Sequence, residues 1–279
     1  MPKLATTLIL CKNNHTALPH SAPLHGFSIL MVKRSLKSRF FPGAHVFPGG
    51  LLEEVDKKRE WVEVCKSSSS VSTLSDFERG LRVGCLRELF EETNLLLSKP
   101  RATAPEHIRK KVQEDASAFL SYCTSHNLSL DLDLLHPYSH WITPEQEKWR
   151  YDTHFFVATL PDSYDFQLKA SNETLESSWF TPQEALQSME RGDIRLPPPT
   201  WFVIRHLSQF SSLANLVEHC EMHKSSISPI QPVLHPTPDG RLLICMPGDE
   251  KNHGSPGAIH RIVVSAGKYE YLNSMGSKL

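Results

Sequence analysis

Apolar and charged positions separate most sharply over residues 86–97, where the chain reads LRELFEETNLLL. At about 100° per residue, a helix here puts Leu86, Leu89, Phe90, Thr93 and Leu97 on one side. Glu88, Glu91 and Glu92 then fall within one arc of roughly 100° on the other side. Ser75-Asp76-Phe77-Glu78 is a capping box with Ser75 at N-cap and Glu78 at N3, so the helix is predicted to start there and to end near Leu97, before Pro100. Ile108, Val112, Ala116, Phe119 and Cys123 keep a three-to-four spacing that predicts a second helix over residues 105–126. Thr181-Pro182 opens a third, through Arg191, and the rigid connector Leu196-Pro197-Pro198-Pro199 precedes a fourth over residues 200–221.

Strand signals surround these helices. Residues 5–12 (ATTLILCK) and 27–34 (FSILMVKR) are short aliphatic and β-branched runs separated by a His, Pro and Asn segment, and they are predicted to pair. Residues 132–142 and 151–160 read as strands of the same sheet. Beyond Ser225 the chain is proline-rich, with strand-like runs at 241–246 and 259–264 and no legible chemistry. The Pro-Gly and Pro-Gly-Gly pairs in residues 41–50 force turns, and glycine there lets a backbone approach a ligand closely. Residues 57–79 open with a charged, helix-compatible piece over 57–66 and pass into SSSSVST, a serine density that favours flexible loop over packed structure.

Carboxylates three and four apart destabilise an isolated helix by a few tenths of a kcal/mol per pair. The three glutamates fit either a solvated acidic face or a site for a hard divalent cation, since Mg²⁺ takes oxygen ligands and bridges to substrate phosphates. A net charge of −1 over 279 residues argues against general nucleic-acid or anionic-membrane binding. Lys33, Arg34, Lys37 and Arg39 nevertheless make a local basic patch beside the glycines. With 39% hydrophobic content, one core domain with additions is expected. The six cysteines form no CxxC pair and point to reduced thiols. No run approaches the roughly 18 apolar residues of a membrane span, so a soluble, non-secreted protein is expected.

Upstream of the helix, residues 34–50 read RSLKSRFFPGAHVFPGG and lead into LLEEVD. Here the chain resembles the Nudix hydrolases, whose box is GxxxxxE, seven residues, then REUxEExGU, with U aliphatic. Gly50, Arg87, Glu88, Leu89, Glu91, Glu92 and Leu95 fit. Asp56 stands for the second acid, and residues 57–86 separate it from Arg87, an insertion of 23 placed at about 57–79. Asn94 replaces the family glycine, a mild exchange at a helix C′ position because Asn readily adopts the left-handed conformation. A second resemblance overlaps the first: the Nudix branch that cleaves coenzyme A carries LLTxR[SA]xxxRxxxGxxxFPGG. Residues 30–50 match it at Arg34, Ser35, Arg39, Gly43, Phe47, Pro48, Gly49 and Gly50, with Met31 and Val32 replacing Leu and Thr. The whole chain is similar to the peroxisomal coenzyme A diphosphatase branch.

The resemblance implies an α/β fold, a Nudix α/β/α sandwich with a central mixed sheet, over residues 1–224, with residues 225–279 as a C-terminal extension. It implies metal-dependent hydrolysis of the diphosphate of coenzyme A or acyl-CoA to 3′,5′-ADP and 4′-phosphopantetheine or its acyl form. Mg²⁺, or Mn²⁺ in its place, would be held by Glu88, Glu91, Glu92 and the Gly50 carbonyl; Arg87 would orient the glutamates. Arg34 and Arg39, with Gly49 and Gly50, would hold phosphate oxygens. NETLESSWF over residues 172–180 resembles a late-strand pattern of the family, so Glu173 and Glu176 are candidates for a further ligand or the general base, against a charged strand edge. Trp141, Trp149 and Tyr151 either line the cleft or pack in the core. Ser277-Lys278-Leu279 matches the address read by the peroxisomal import receptor and implies the peroxisomal matrix. The rival readings are a Nudix diphosphatase of another nucleotide (NADH, a nucleotide sugar, an RNA cap) and a catalytically silent module that binds acyl-CoA or a protein. Retention of the repelling Glu88, Glu91 and Glu92 argues against silence.

Overall fold

The first strand, β1 (Lys3–Asn13), buries Leu8 and Leu10 on one face and Ile9 and Cys11 on the other, as a strand covered on both sides must. The structure, a computed structural model, describes residues 1–14, 26–38, 40–66, 68–161 and 174–274. In chain order, β1 is followed by β2 (Phe27–Arg34), β3 (His45–Val46) and β4 (Gly49–Leu51), then a 3₁₀ turn at Glu54–Lys57. Next come α1 (Trp61–Val64), α2 (Asp76–Thr93), β5 (Ser98–Lys99), α3 (Glu106–Glu114), α4 (Ser117–Ser125) and β6 (Ser129–Leu130). They lead to β7 (His136–Ile142), β8 (Tyr151–Thr159), β9 (Thr174–Phe180), α5 (Pro182–Arg191), α6 (Pro198–Leu207) and α7 (Leu213–His223). The tail holds β10 (Pro229–Ile230), β11 (Val233–Pro236), β12 (Leu242–Cys245), β13 (His260–Ser265) and β14 (Lys268–Asn273).

Among the described residues, eight strands form one mixed sheet in the order β10-β7-β8-β1-β2-β3, with β4 also paired to β1 and β9 to β2. The β1–β8 and β10–β7 pairs are parallel. On one face Leu8, Leu10, Leu30 and Phe156 pack against Leu86, Leu89 and Phe90 of α2 and Phe119 of α4. On the other, Ile9, Ile29, Met31 and Val157 pack against Ala185 of α5, Phe202 and Ile204 of α6 and Leu216 of α7. The fold is thus an α/β/α sandwich. No helix of the described residues is long and apolar enough to cross a membrane.

Helix boundaries follow local capping chemistry. The Ser75 Oγ accepts from the Glu78 N–H at 3.2 Å while Glu78 accepts from the Ser75 N–H at 3.0 Å, starting α2 where the capping box predicts. It ends at Thr93, earlier than predicted, because Asn94 turns left-handed at φ 63°. The helix predicted over 105–126 is two: Asp115 is extended, and its carboxylate accepts from the Ser117 N–H and hydroxyl, which starts α4 afresh. The helix predicted over 200–221 is likewise broken, with Ser212 capping α7 through the Asn215 N–H. The strand predicted from 132 begins only at His136, after a 3₁₀ turn at Leu132–Leu134.

The described residues of the insert are packed: the helix-compatible opening holds α1, and the serine-rich part is tied down, contrary to the expectation of a flexible loop there. Trp61 is fully buried and its indole N–H donates to the Val55 carbonyl at 2.9 Å. Ser68 is buried and bonds both the Leu130 carbonyl and the Leu132 N–H. The Asp133 carboxylate takes four hydrogen bonds, from the N–H and hydroxyl of Ser69 and of Ser70, at 2.6–3.1 Å. The tail is also tied in: β10 joins the main sheet, and Tyr269 and Tyr271 of β14 pack edge-on against Trp201 and Phe202 of α6. Asp249, fully buried, binds Arg261 at 2.7 and 2.9 Å; burial alone would raise its pKa, but that pair and two backbone N–H groups hold it below the usual carboxylate value.

Candidate active site

The α2 helix lies across β1 and β4, and its polar residues meet the turn that the glycines make. The Gly49 N–H donates to Glu92 at 3.1 Å. A Cβ on Gly50 would stand 2.5–2.6 Å from the Glu88 carboxylate atoms, so any other residue here would push the Glu88 side chain from its place. At Gly49 the obstacle is backbone, the Thr6 carbonyl at 2.3 Å. Glu88 and Glu92 are buried and Glu91 is partly so.

Arg87 holds this corner together. Its Nε and Nη2 donate to the two carboxylate oxygens of Asp56 at 2.9 Å each, Nη2 also reaches the Leu51 carbonyl, and Nη1 donates to Glu88 at 2.9 Å and Glu91 at 2.5 Å. Burial by itself would lower the Arg87 pKa, but the Asp56 hydrogen bonds and the charges of Glu88, Asp56 and Glu91 raise it, so the guanidinium is locked in its charged form. Asp56 is fully buried and also accepts from the Glu53 N–H.

Glu88, Glu91, Glu92, Gly49 and Gly50 line a cavity of about 1520 Å³, whose wall also carries Arg34 and Lys37. The Arg34 Nε is buried and has no acceptor among the described residues. Trp141, Trp149 and Tyr151 line the same cavity, Trp141 being at once in the apolar core. Glu176 is not brought to this cluster. It sits on β9 opposite Lys33, half exposed, with the lysine Nζ 3.9 Å away, and it is not part of the cavity wall. Arg39, Glu173 and Ser277-Lys278-Leu279 lie outside the described residues. Sequence reasoning overlooked the tail: Leu242, Ile244, Ile262 and Val264 line the cavity too.

An all-oxygen donor set of three glutamates beside a backbone that only glycine can bring near suits a hard cation such as Mg²⁺. A different set, His140, Asp152 and His154, has ligand atoms all within 4.8 Å of one another. It contains two imidazoles, which suit a transition metal and not Mg²⁺. His154 and Asp152 alternate with the cavity-lining Thr153 and Phe155 on β8, so this set faces the other side of the sheet. Burial, then His140, pushes the His154 pKa down to about 4, against the pull of Asp152.

Comparison with known proteins agrees with this geometry. A family model of the NUDT19 Nudix domain matches residues 3–79 and 72–207. The human acyl-coenzyme A diphosphatase NUDT19 is 28% identical over 284 residues, spanning 84% of this chain and 75% of the human protein. The chicken protein of the same name is 27% identical, over 80% of this chain and 72% of its own. A Nudix hydrolase crystal structure from Alicyclobacillus acidocaldarius superposes with a TM-score of 0.63 at 22% identity, over 82% of this chain and 97% of that one. With the family model covering most of the sandwich and the glutamate helix set against the glycine turn, this chain belongs to the Nudix hydrolases, in the family of the NUDT19 Nudix domain.

Proposed function

We propose that this enzyme hydrolyses the diphosphate of coenzyme A and acyl-CoA, yielding 3′,5′-ADP and 4′-phosphopantetheine or its acyl form. The observation that carries the reading is one cavity whose wall holds Glu88, Glu91 and Glu92 together with Arg34 and Lys37, anionic and cationic groups suited to a metal-bridged diphosphate. The names of the human and chicken relatives support the choice of substrate. In this reading Glu88, Glu91, Glu92 and the Gly50 carbonyl would hold Mg²⁺ or Mn²⁺. The ion would neutralise the diphosphate and lower the pKa of the attacking water. Arg87, with all of its contacts turned to Asp56, Leu51, Glu88 and Glu91, positions the glutamates and leaves substrate to others. Arg34, with its open Nε donor, binds a phosphate oxygen, and Arg39 is assigned the same task. The proton acceptor is sought among the cavity glutamates and not at Glu176, because a base must stand within hydrogen-bond reach of the water.

The test compares kcat/KM for coenzyme A, dephospho-coenzyme A, NADH and ADP-ribose, with and without Mg²⁺, on wild type and Arg34→Ala. Coenzyme A should lead and need the metal. One lost charge-assisted phosphate contact of roughly 1.5–3 kcal/mol should cost about 10- to 150-fold. A wild-type preference for NADH or ADP-ribose would overturn the reading. The proposal extends to the peroxisomal matrix through recognition of Ser277-Lys278-Leu279 by the import receptor. Masking that tripeptide with a C-terminal tag should leave the protein in the cytosol, and unchanged co-localisation with a matrix marker would refute the address.

A further inference from the structure

The cavity has a second, chemically different wall. In the tail sheet, Leu242 and Ile244 of β12 pair with Val264 and Ile262 of β13, and Leu234 of β11 pairs with Ile244. These five side chains share one face, and all five line the cavity. The alternate residues Leu243, Cys245 and Val263 pack together on the reverse face. Among the described residues of the tail, none that lines the cavity carries a charge. The Tyr269 hydroxyl, the polar group nearest to an exception, already donates to the Leu196 carbonyl at 2.9 Å.

Such a wall has nothing with which to read a base edge or bind a phosphate, and its burial of apolar area favours a hydrocarbon. It is continuous with the charged wall formed by α2, the end of β2 and Lys37, so one ligand spanning the cavity must be ionic at one end and apolar at the other. The volume of about 1520 Å³ exceeds the roughly 300–1,000 Å³ usual for a small-ligand pocket, leaving room beyond a diphosphate. We infer that the β11–β14 sheet is the acyl subsite: it receives the S-acyl chain of a CoA thioester, and the tail, not the sandwich, sets chain-length preference. The inference rests on the CoA reading proposed above. It accounts for the extension as a specificity device carried by residues on neighbouring strands.

Leu242 and Val264 are only partly buried and pack at the margin of the core that holds the buried Ile244 and Ile262, so they are the positions of this wall where a substitution disturbs packing least. The experiment measures kcat/KM for free coenzyme A and for acyl-CoAs of increasing chain length on wild type, Val264→Trp and Leu242→Asp. Equilibrium dialysis of labelled S-acyl-pantetheines, which lack the diphosphate, runs alongside. In wild type, affinity for the fragments should rise with length, by up to about fourfold per buried methylene, and then level off as the wall is filled. Both variants should keep free coenzyme A within about twofold and lose roughly 10-fold or more on the longer acyl-CoAs. If the variants depress free coenzyme A as much as the long thioesters, or leave chain-length preference unchanged, the subsite is elsewhere and the inference falls while the CoA reading stands. If no CoA species is hydrolysed but the fragments bind by length and Val264→Trp abolishes that binding, the CoA reading falls and the apolar subsite stands. Fragment binding that is independent of length, or absent, overturns the inference directly.

Discussion

Arg87 and Asp56 meet in a two-point ion pair, Nε to Oδ1 and Nη2 to Oδ2 at 2.9 Å each, although a packed insert intervenes between them in the chain. Both side chains are almost completely buried, so the pair is a structural commitment and removing one partner strands the other. Asp56→Ala should therefore cost about 3–5 kcal/mol of stability, read by urea unfolding, and should lower activity as Arg87 swings from Glu88 and Glu91. A loss below about 1 kcal/mol would show that Arg87 finds another partner in the corner.

Glu91→Gln and Glu92→Gln keep the shape of the side chain and remove one negative charge. Each should slow turnover by at least about 100-fold, some 2.7 kcal/mol of transition-state stabilisation, with the circular dichroism spectrum held, since relief of repulsion on the helix offsets the weakened contacts to Arg87 and to the Gly49 N–H. Near-normal turnover with unchanged Mg²⁺ dependence in either variant would remove the glutamates from the reaction.

The two adjacent glycines should fail in different ways. In Gly50→Ala the new methyl meets the Glu88 carboxylate at 2.5–2.6 Å, the end of a side chain that can move, so the expected result is a folded protein with weakened metal response. In Gly49→Ala it meets the Thr6 carbonyl at 2.3 Å and the Thr7 Cα at 2.8 Å, backbone that cannot yield without breaking the β1–β4 pairing. Thermal melts and metal titration separate the cases; equal Tm losses for both would contradict this account.

Below neutral pH, His206 should act as a destabilising group. Burial, then His219, Arg205 and His223, pushes its pKa down to about 4, and its Nδ1 faces the Tyr138 hydroxyl at 2.5 Å. Between the ordinary histidine value of 6.5 and that folded value the unfolded chain binds a proton the folded chain refuses, so stability rises with pH across this window. It is level above the window and falls as pH drops through it, by at most about 1.4 kcal/mol per pH unit for this residue. His206→Gln should flatten the slope of unfolding free energy between pH 6.5 and 4, and an unaltered slope would assign it to other groups, His154 first among them.

What the sequence made legible was largely local. The Ser75 capping box, the left-handed Asn94 and the opposed faces of α2 each depend on residues within a turn of one another. The sandwich and the gathering of Gly50, Arg87 and the glutamates came through motif resemblance, since no periodicity reveals that Asp56 closes on Arg87. The serine segment read as loose because its partner, Asp133, is more than sixty residues further on. The break between α3 and α4 was hidden by apolar spacing that runs on across it, while Asp115 quietly recruits Ser117. The cavity face of the tail could not be seen because residues 242–246 are apolar at every position, so the alternation that separates Leu242 and Ile244 from Leu243 and Cys245 leaves no trace in the sequence. Glu176 shows the opposite limit: the right residue type at a family spacing stands opposite Lys33, away from the cavity.

The parallel pairing of β1 with β8 sets a schedule for synthesis. The strand at the centre of the sheet is made first among its elements, while the neighbour that covers its second edge, Tyr151–Thr159, follows well over a hundred residues later. At 5–20 residues per second that interval is roughly 7–30 s on the ribosome. Throughout it, Leu8, Ile9, Leu10 and Cys11, all fully buried in the finished enzyme, are an unsatisfied apolar edge. The hairpin with β2 and the fold-back of β4 can shield one edge early, but the other waits for β8. A nascent chain of this enzyme is accordingly a customer for chaperones that hold extended apolar segments, and a truncation ending before β8 exposes the same edge permanently.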